Sequence, residues 1–255
     1  NEGTWKKNGT ISFLVSQSSF SNWIAGGDNT VSGNLGVNYD FNYTKGDLTW
    51  DNKLLFAYGI NNVNGIGTRK TDDKFEFNSL AGKKAKGNWS YSFFLNFKTQ
   101  LTDGFDYSQT PKVNTSGLLA PGYLSFGPGM FWKKSDQLKV NLSPITSKIT
   151  LVSDKFSGQY GTDLGKNTRY EFGFNASLYH KTTLMENVTM ENMVNFYSNY
   201  LEKPQNFDID LQINLVMQIN KYLSTNLNFH AIVDDNASAK VQFKEVFGLG
   251  VNYKF

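Results

Sequence analysis

The chain has two histidines, His180 and His230, and they are the first residues to test for chemistry. An imidazole activates a nucleophile only when a hydroxyl or thiol lies within hydrogen-bond reach and a third group orients the ring. Cysteine is absent, which removes thiolate nucleophiles, thiolate metal sites and any disulfide framework. No H-E-x-x-H, G-x-S-x-G or phosphate-loop pattern occurs. The glycines of I-N-N-V-N-G-I-G-T (Ile60–Thr68) lack the strand-to-helix setting that a nucleotide loop requires. Asp103 with Asp106, Asp208 with Asp210, and Asp234 with Asp235 offer oxygen atoms to calcium. None follows the spacing of a calcium loop, and solvated carboxylates account for them. The expectation is a chain with no catalytic residue, no metal and no cofactor.

A larger constellation lies in the charged residues that alternate with apolar ones. Asp40, Asp51, Lys53, Glu76, Lys98, Lys133, Arg169, Glu171, Glu191, Asp208, Asp210, His230 and Lys244 share one parity within their segments. Glu245 joins them only if a bulge precedes it. In an extended chain, side chains alternate between two faces, so these groups lie opposite an apolar stripe. Acids and bases are nearly balanced in the set. Inside a narrow barrel they would pair into a plug-like network, because an unpaired buried charge is costly. In a wider, hydrated lumen they would line a weakly selective pore.

The segments that carry these residues read as strands. Trp89, Tyr91, Phe93, Leu95 and Phe97 alternate with Ser90, Ser92, Asn96 and Lys98. Phe207, Ile209, Leu211, Ile213 and Leu215 alternate with Asp208, Asp210, Gln212 and Asn214. The chain ends in the same manner, with Phe247, Leu249, Val251, Tyr253 and Phe255 on one face. The parity shifts near Ser143-Pro144, as a bulge would cause. Aromatics make up 15% of the 255 residues, yet mean hydropathy is −0.42. That combination suits strands with lipid on one face and water on the other. No apolar run reaches the roughly 18 residues a membrane helix needs, so a closed barrel is the membrane-spanning option left. The net charge is +3 without a basic run, so nucleic acid is not an expected partner.

We therefore expect an all-β fold: one transmembrane antiparallel up-and-down barrel over residues 1–255, with about twelve strands. Asn1–Asn8 would be a periplasmic lead-in. Connections after even strands are short and those after odd strands usually longer. This predicts both termini in the periplasm. The first residue is Asn and not Met, as it would be after removal of an export signal. Trp50, Trp89, Trp132, Tyr253 and Phe255 would sit at the membrane interface. Ser18–Asn29 and Ile60–Asp72 read as loops. Phe20, Trp23 and Ile24 would pack into the barrel mouth or, with Arg69 and Lys70, dock a partner.

Several fragments carry a family resemblance: S-N-W-I-A-G-G (Ser21–Gly27), W-D-N (Trp50–Asn52), R-K-T-D-D-K (Arg69–Lys74), L-N-F-K-T-Q (Leu95–Gln100), N-Y-L-E-K-P-Q-N (Asn199–Asn206) and V-Q-F-K-E-V-F-G (Val241–Gly248). In these the chain resembles a family of outer-membrane proteins of Bacteroidota-type bacteria known as a domain of unknown function. The resemblance implies a barrel in the outer membrane, in contact with lipid and lipopolysaccharide, and no particular reaction. Three functions stay open: an accessory subunit of a larger outer-membrane assembly, in contact with other outer-membrane proteins; a passive small-solute channel; and, less favoured, a lipid-acting enzyme using His230.

Overall fold

The computed structural model describes residues 2–19, 24 and 28–255, and only the backbone of Ser238 and Ala239. Fourteen strands follow one another: β1 (Thr4–Ser18), β2 (Thr30–Lys45), β3 (Leu48–Val63), β4 (Gly67–Lys86), β5 (Trp89–Thr99), β6 (Gly104–Asp106), β7 (Val113–Ser116), β8 (Gly122–Ser135), β9 (Leu138–Leu151), β10 (Thr168–Met185), β11 (Val188–Asn199), β12 (Asp208–Gln218), β13 (Leu223–Asp234) and β14 (Ser238–Lys254). Twelve of them form one closed antiparallel barrel, each beside its neighbour in sequence, with β5 next to β8. β6 and β7 form a separate hairpin in the β5–β8 connection.

Closure joins β1 to β14, with Thr10 opposite Lys254 and Val15 opposite Leu249. Beyond that ladder, the Gly9 amide donates to the Phe255 carbonyl at 2.7 Å and the Phe255 amide donates back at 3.0 Å. The Phe255 ring lies over Gly9, where a Cβ would overlap it. Closure removes the free edges that an open sheet would expose to lipid.

Burial is inverted relative to a soluble core. The largest fully buried side chains are polar, among them Glu171, Asn175, Thr146 and Ser224. Phe13, Phe93, Ile145, Tyr170, Phe247 and Val251 are exposed on the outer wall. Period two thus puts polar groups inside and apolar ones outside on every strand. Some apolar residues also fill the interior, since Leu14, Leu55, Phe94 and Phe131 are buried at inward positions.

Several expected boundaries move. Thr4–Asn8 belongs to β1 and pairs with Asp40–Thr44, so the expected lead-in through Asn8 is mostly strand. Ile60–Asp72 is not a loop: β3 and β4 run on until only residues 64–66 separate them. Arg69 and Lys70 therefore lie in β4. β14 likewise begins at Ser238, leaving a connection of residues 235–237. The loop-length alternation thus holds at four of the six connections on that end. The parity shift at Pro144 is a real bulge, with ladder breaks between Phe126 and Met130 on β8 and between Gly173 and Asn175 on β10. Ser143 and Thr146 fill the break: the Ser143 hydroxyl donates to the Pro128 carbonyl at 2.6 Å, and the Thr146 hydroxyl donates to Ser143 Oγ at 3.0 Å. From Gln242 to Val251 β14 pairs with β13 without a break, its register shift lying earlier, between Ser238 and Gln242, so Glu245 points outward, opposite Phe229, on the exposed face with Phe243 and Phe247.

Candidate functional site

The charged residues of shared parity meet one another in ion pairs inside the barrel. Alternation delivers each to the inner face, and barrel curvature then brings distant strands within reach of one another. Lys53 on β3 bonds Asp40 on the adjacent β2 at 3.3 Å and Glu191 on β11 at 3.1 Å. β3 and β11 are diametrically opposite in the strand order. Nearer the short-turn end, Asp51 accepts from Lys139 at 2.9 Å and lies 3.6 Å from Lys133. The Tyr179 ring stands between the two groups, 5.5 Å from the Lys53 ammonium and 5.6 Å from that of Lys139.

The middle layer crosses the lumen again. Lys98 on β5 donates to Asp210 on β12 at 2.5 Å. Lys74 on β4 donates to Gln212 on β12 at 2.7 Å, and the Gln212 amide donates to Glu76 at 3.2 Å. His230 Nε2 lies 3.0 Å from Asp210 Oδ1. Its hydrogen-bond partner is thus a carboxylate already shared with Lys98, not a hydroxyl. Above it, Lys148 donates to Asp208 at 2.6 Å and lies 3.6 Å from Glu171, which also faces Arg169 at 3.5 Å. Lys244 on β14 reaches Asp72 on β4 at 2.7 Å.

Two sizeable cavities remain among the described residues. One of about 570 Å³ lies toward the long-loop end, lined in part by Lys98, Tyr123, Lys148, Tyr160, Tyr197 and Asp234. The other, about 280 Å³, lies toward the short turns, lined in part by Ser12, Asn38, Leu55, Asn226 and Lys254. Asp72, Lys74, His230 and Lys244 belong to both walls, so this layer is the partition. Over the larger cavity the loops carry a small core of their own: Ala120, Val152 and Phe156, with Tyr160 packed against it. The Tyr160 hydroxyl donates to the Thr115 carbonyl, and burial raises its pKa.

Several lumen residues went unnoticed in the sequence. Lys139 and Lys74 have the same inward parity as their neighbours and were detectable by it. Lys148 becomes inward only after the bulge is placed, and Tyr179 and Tyr197 were masked by the aromatic content of the outer face. Of the loop residues, Phe20 and Trp23 lie outside the described residues. Ile24 is fully exposed and does not pack into the mouth. Lys70 is tied inside, to Asp73 at 2.9 Å and the Thr102 carbonyl at 2.8 Å. Arg69 stacks on Tyr107, 4.5 Å from the ring centroid. His180 points outward beside the short turn before Leu138. Of the paired carboxylates weighed as oxygen donors to calcium, Asp208 and Asp210 bond lysines and Asp106 accepts from Ser108 at 2.7 Å.

Residues 15–105 match a family described as a protein of unknown function, DUF3078. The match runs from near the end of β1 into β6 and holds four of the six resembling fragments; Asn199–Asn206 and Val241–Gly248 lie beyond it. A comparison with curated proteins finds no match. Among solved structures, the chain is similar to an outer membrane channel from Pseudomonas putida F1, at 10% identity and TM-score 0.41, covering 97% of this chain and 94% of that one. It is also similar to the translocator domain of the autotransporter NalP from Neisseria meningitidis, at 12% identity and TM-score 0.38, covering 98% and 88%. A third likeness is to the outer membrane channel DcaP of Acinetobacter baumannii, at 10% identity and TM-score 0.37, covering 99% and 97%. None of these likenesses bears on what this chain does.

Proposed function

We propose that this chain is an exported barrel of the bacterial outer membrane whose lumen is held shut, and that it serves as an accessory subunit of a larger assembly with no reaction of its own. The observation that carries this reading is the set of ion pairs joining opposite walls, above all Lys53 to Glu191 and Lys98 to Asp210. Each pair leaves little driving force for a hydrated path, because separating it strands two charges in a confined space. Glu245 supports a protein neighbour: a carboxylate on the apolar outer face costs free energy against lipid and is better met by a partner's donor. The short turns and the tryptophans beside them support a periplasmic side for both termini and a wall in contact with lipid and lipopolysaccharide, and the resembling fragments favour a Bacteroidota-type source. In planar bilayers the purified protein is expected to give no conductance steps. From native membranes in mild detergent it is expected to co-purify with other outer-membrane proteins, and Glu245→Ala to weaken that association. Migration as a lone monomer would remove the accessory reading.

A second reading, a passive small-solute channel, is favoured by one feature: the two cavities meet at a single shared layer. Regular conductance steps from the unmodified protein would establish it over the first. For the enzyme alternative, the group that His230 bonds is the Asp210 carboxylate and not a hydroxyl that it could activate, and His230→Ala is expected to leave any lipid-cleaving activity of the preparation unchanged.

A further inference from the structure

The larger cavity has a charge pattern that singles out one side chain. Five lysines line it, and each has its own carboxylate: Lys70 with Asp73, Lys74 with Glu76, Lys98 with Asp210, Lys148 with Asp208, and Lys244 with Asp72. The sixth lining carboxylate is Asp234, and among the described residues it stands in no ion pair. Its Oδ1 accepts the backbone amides of Asn236 at 2.9 Å and Ala237 at 3.3 Å, which forms the β13–β14 turn. That duty engages one oxygen and leaves the carboxylate without an ion-pair partner among the described residues, the Lys148 ammonium being a more distant positive neighbour. Asp208, Asp234 and Asp235 bring their oxygens within 4.8 Å of one another, and the lysine of the larger cavity that bonds this group is Lys148, through Asp208.

The walls around Asp234 are aromatic. Tyr123, Tyr160 and Tyr197 all line the same cavity. Tyr160 adopts a positive φ of 55°, a strained backbone for a non-glycine residue. The Gly161 that follows packs against Asn236, which sets Tyr160 beside the Asp234 turn. Tyr197 is the cross-strand neighbour of Asp208, is only 3% exposed, and its hydroxyl has no hydrogen-bond partner; the Lys148 ammonium lies 4.8 Å from its ring centroid, so the ring faces left for a ligand cation are those of Tyr123 and Tyr160. A buried polar atom left without a partner is unusual and points to a group that completes it.

We infer that this vestibule is a binding site for a small organic ammonium compound, with Asp234 meeting the positive charge and the tyrosine rings meeting its body. A cation gains from the faces of aromatic rings as well as from a carboxylate, and a cavity of about 570 Å³ falls in the size range of small-molecule sites. A bare divalent ion fits less well, since Lys148 engages Asp208 and Asn206 engages Asp235 at 2.6 Å. Neutral and anionic compounds forgo the charge that Asp234 offers. The inference is independent of whether the lumen conducts.

Titration calorimetry on the purified full-length protein in detergent tests this, with choline chloride as the ammonium probe and glucose, sodium acetate and calcium chloride as the others. Choline is expected to bind saturably, and glucose and acetate not to bind. Asp234→Asn keeps a side-chain oxygen for the turn and removes the charge, so it is expected to weaken choline binding at least about tenfold. Tyr160→Leu is expected to weaken it several-fold. Asp136→Asn, at the opposite end of the barrel, is expected to leave it unchanged. Absence of saturable choline binding would overturn the inference, as would equal affinity in Asp234→Asn or preferential binding of calcium. If Asp234→Asn fails to run as a folded band on unheated gels, the Tyr160→Leu affinity decides.

Discussion

At the scale of single residues, Lys53 shows what the lumen asks of a side chain. Its ammonium sits between two carboxylates, and its side chain is only 12% exposed. Replacing it with Met leaves Asp40 and Glu191 facing each other without a cation. The cost is expected to be about 2–4 kcal/mol, because breaking a buried pair on one side is worse than removing it whole. Urea titration followed by the migration of unheated samples on gels measures it. Adding Glu191→Gln to Lys53→Met is expected to recover part of the loss, since the two sites share one interaction. Additive losses would show that the contact contributes nothing. Asp210 makes the same point with more partners, holding Lys98 at 2.5 Å and His230 at 3.0 Å.

At the scale of elements, the bulge between β8 and β9 and the closure of β1 on β14 are two places where single glycines decide the packing; register also shifts in the β3–β4, β4–β5, β10–β11 and β13–β14 ladders. On β8, a Cβ at Gly127 would overlap the Ile145 carbonyl, and one at Gly129 would overlap that of Leu142. These are backbone atoms with no rotamer to change, so Gly127→Ala must shift β9. The expected cost is about 1–3 kcal/mol in the same urea assay; wild-type stability in this variant would mean the bulge relaxes freely. At the closure, Gly9→Val displaces the Phe255 ring from its place over β1 and beside Tyr39, where the ring centroids are 5.7 Å apart. Slower folding into detergent micelles is expected, read by the appearance of the fast-migrating band.

At the scale of the molecule, the described tryptophans are distributed unevenly. Trp5, Trp50, Trp89 and Trp132 all lie beside the short turns, at the end where the chain terminates. Trp5 packs against Tyr43 at 5.1 Å and Trp50 at 5.9 Å, and the aromatic chain continues through Phe41 and Tyr39 to Phe255. Amphipathic rings collect at the boundary between lipid and water. In reconstituted bilayers, lipids brominated near the headgroup are expected to quench the tryptophan fluorescence more than lipids brominated at the chain ends. The reverse order would contradict a collar at the interface and with it the placement of the wall in lipid.

Much of this architecture was legible in the chain itself. Alternation is a local property of extended backbone, so Phe247 to Phe255 and Phe207 to Leu215 revealed their outward faces without reference to any other strand. The same rule placed thirteen charged groups inside. It failed where local signals were weak: Trp5 stands among polar residues, and Ile60–Asp72 looks like a loop because its glycines and asparagines hide the pairing of Asn61 with Arg69. What only the tertiary structure decided is which charges meet. Lys53 finds Glu191, and Lys98 finds Asp210, across more than a hundred residues of sequence. Those distances depend on strand order, stagger and curvature of the closed sheet, which no window of sequence contains. The unpaired state of Asp234 belongs to the same class of fact, because a charge is left over only after every other lysine in the cavity has found its partner.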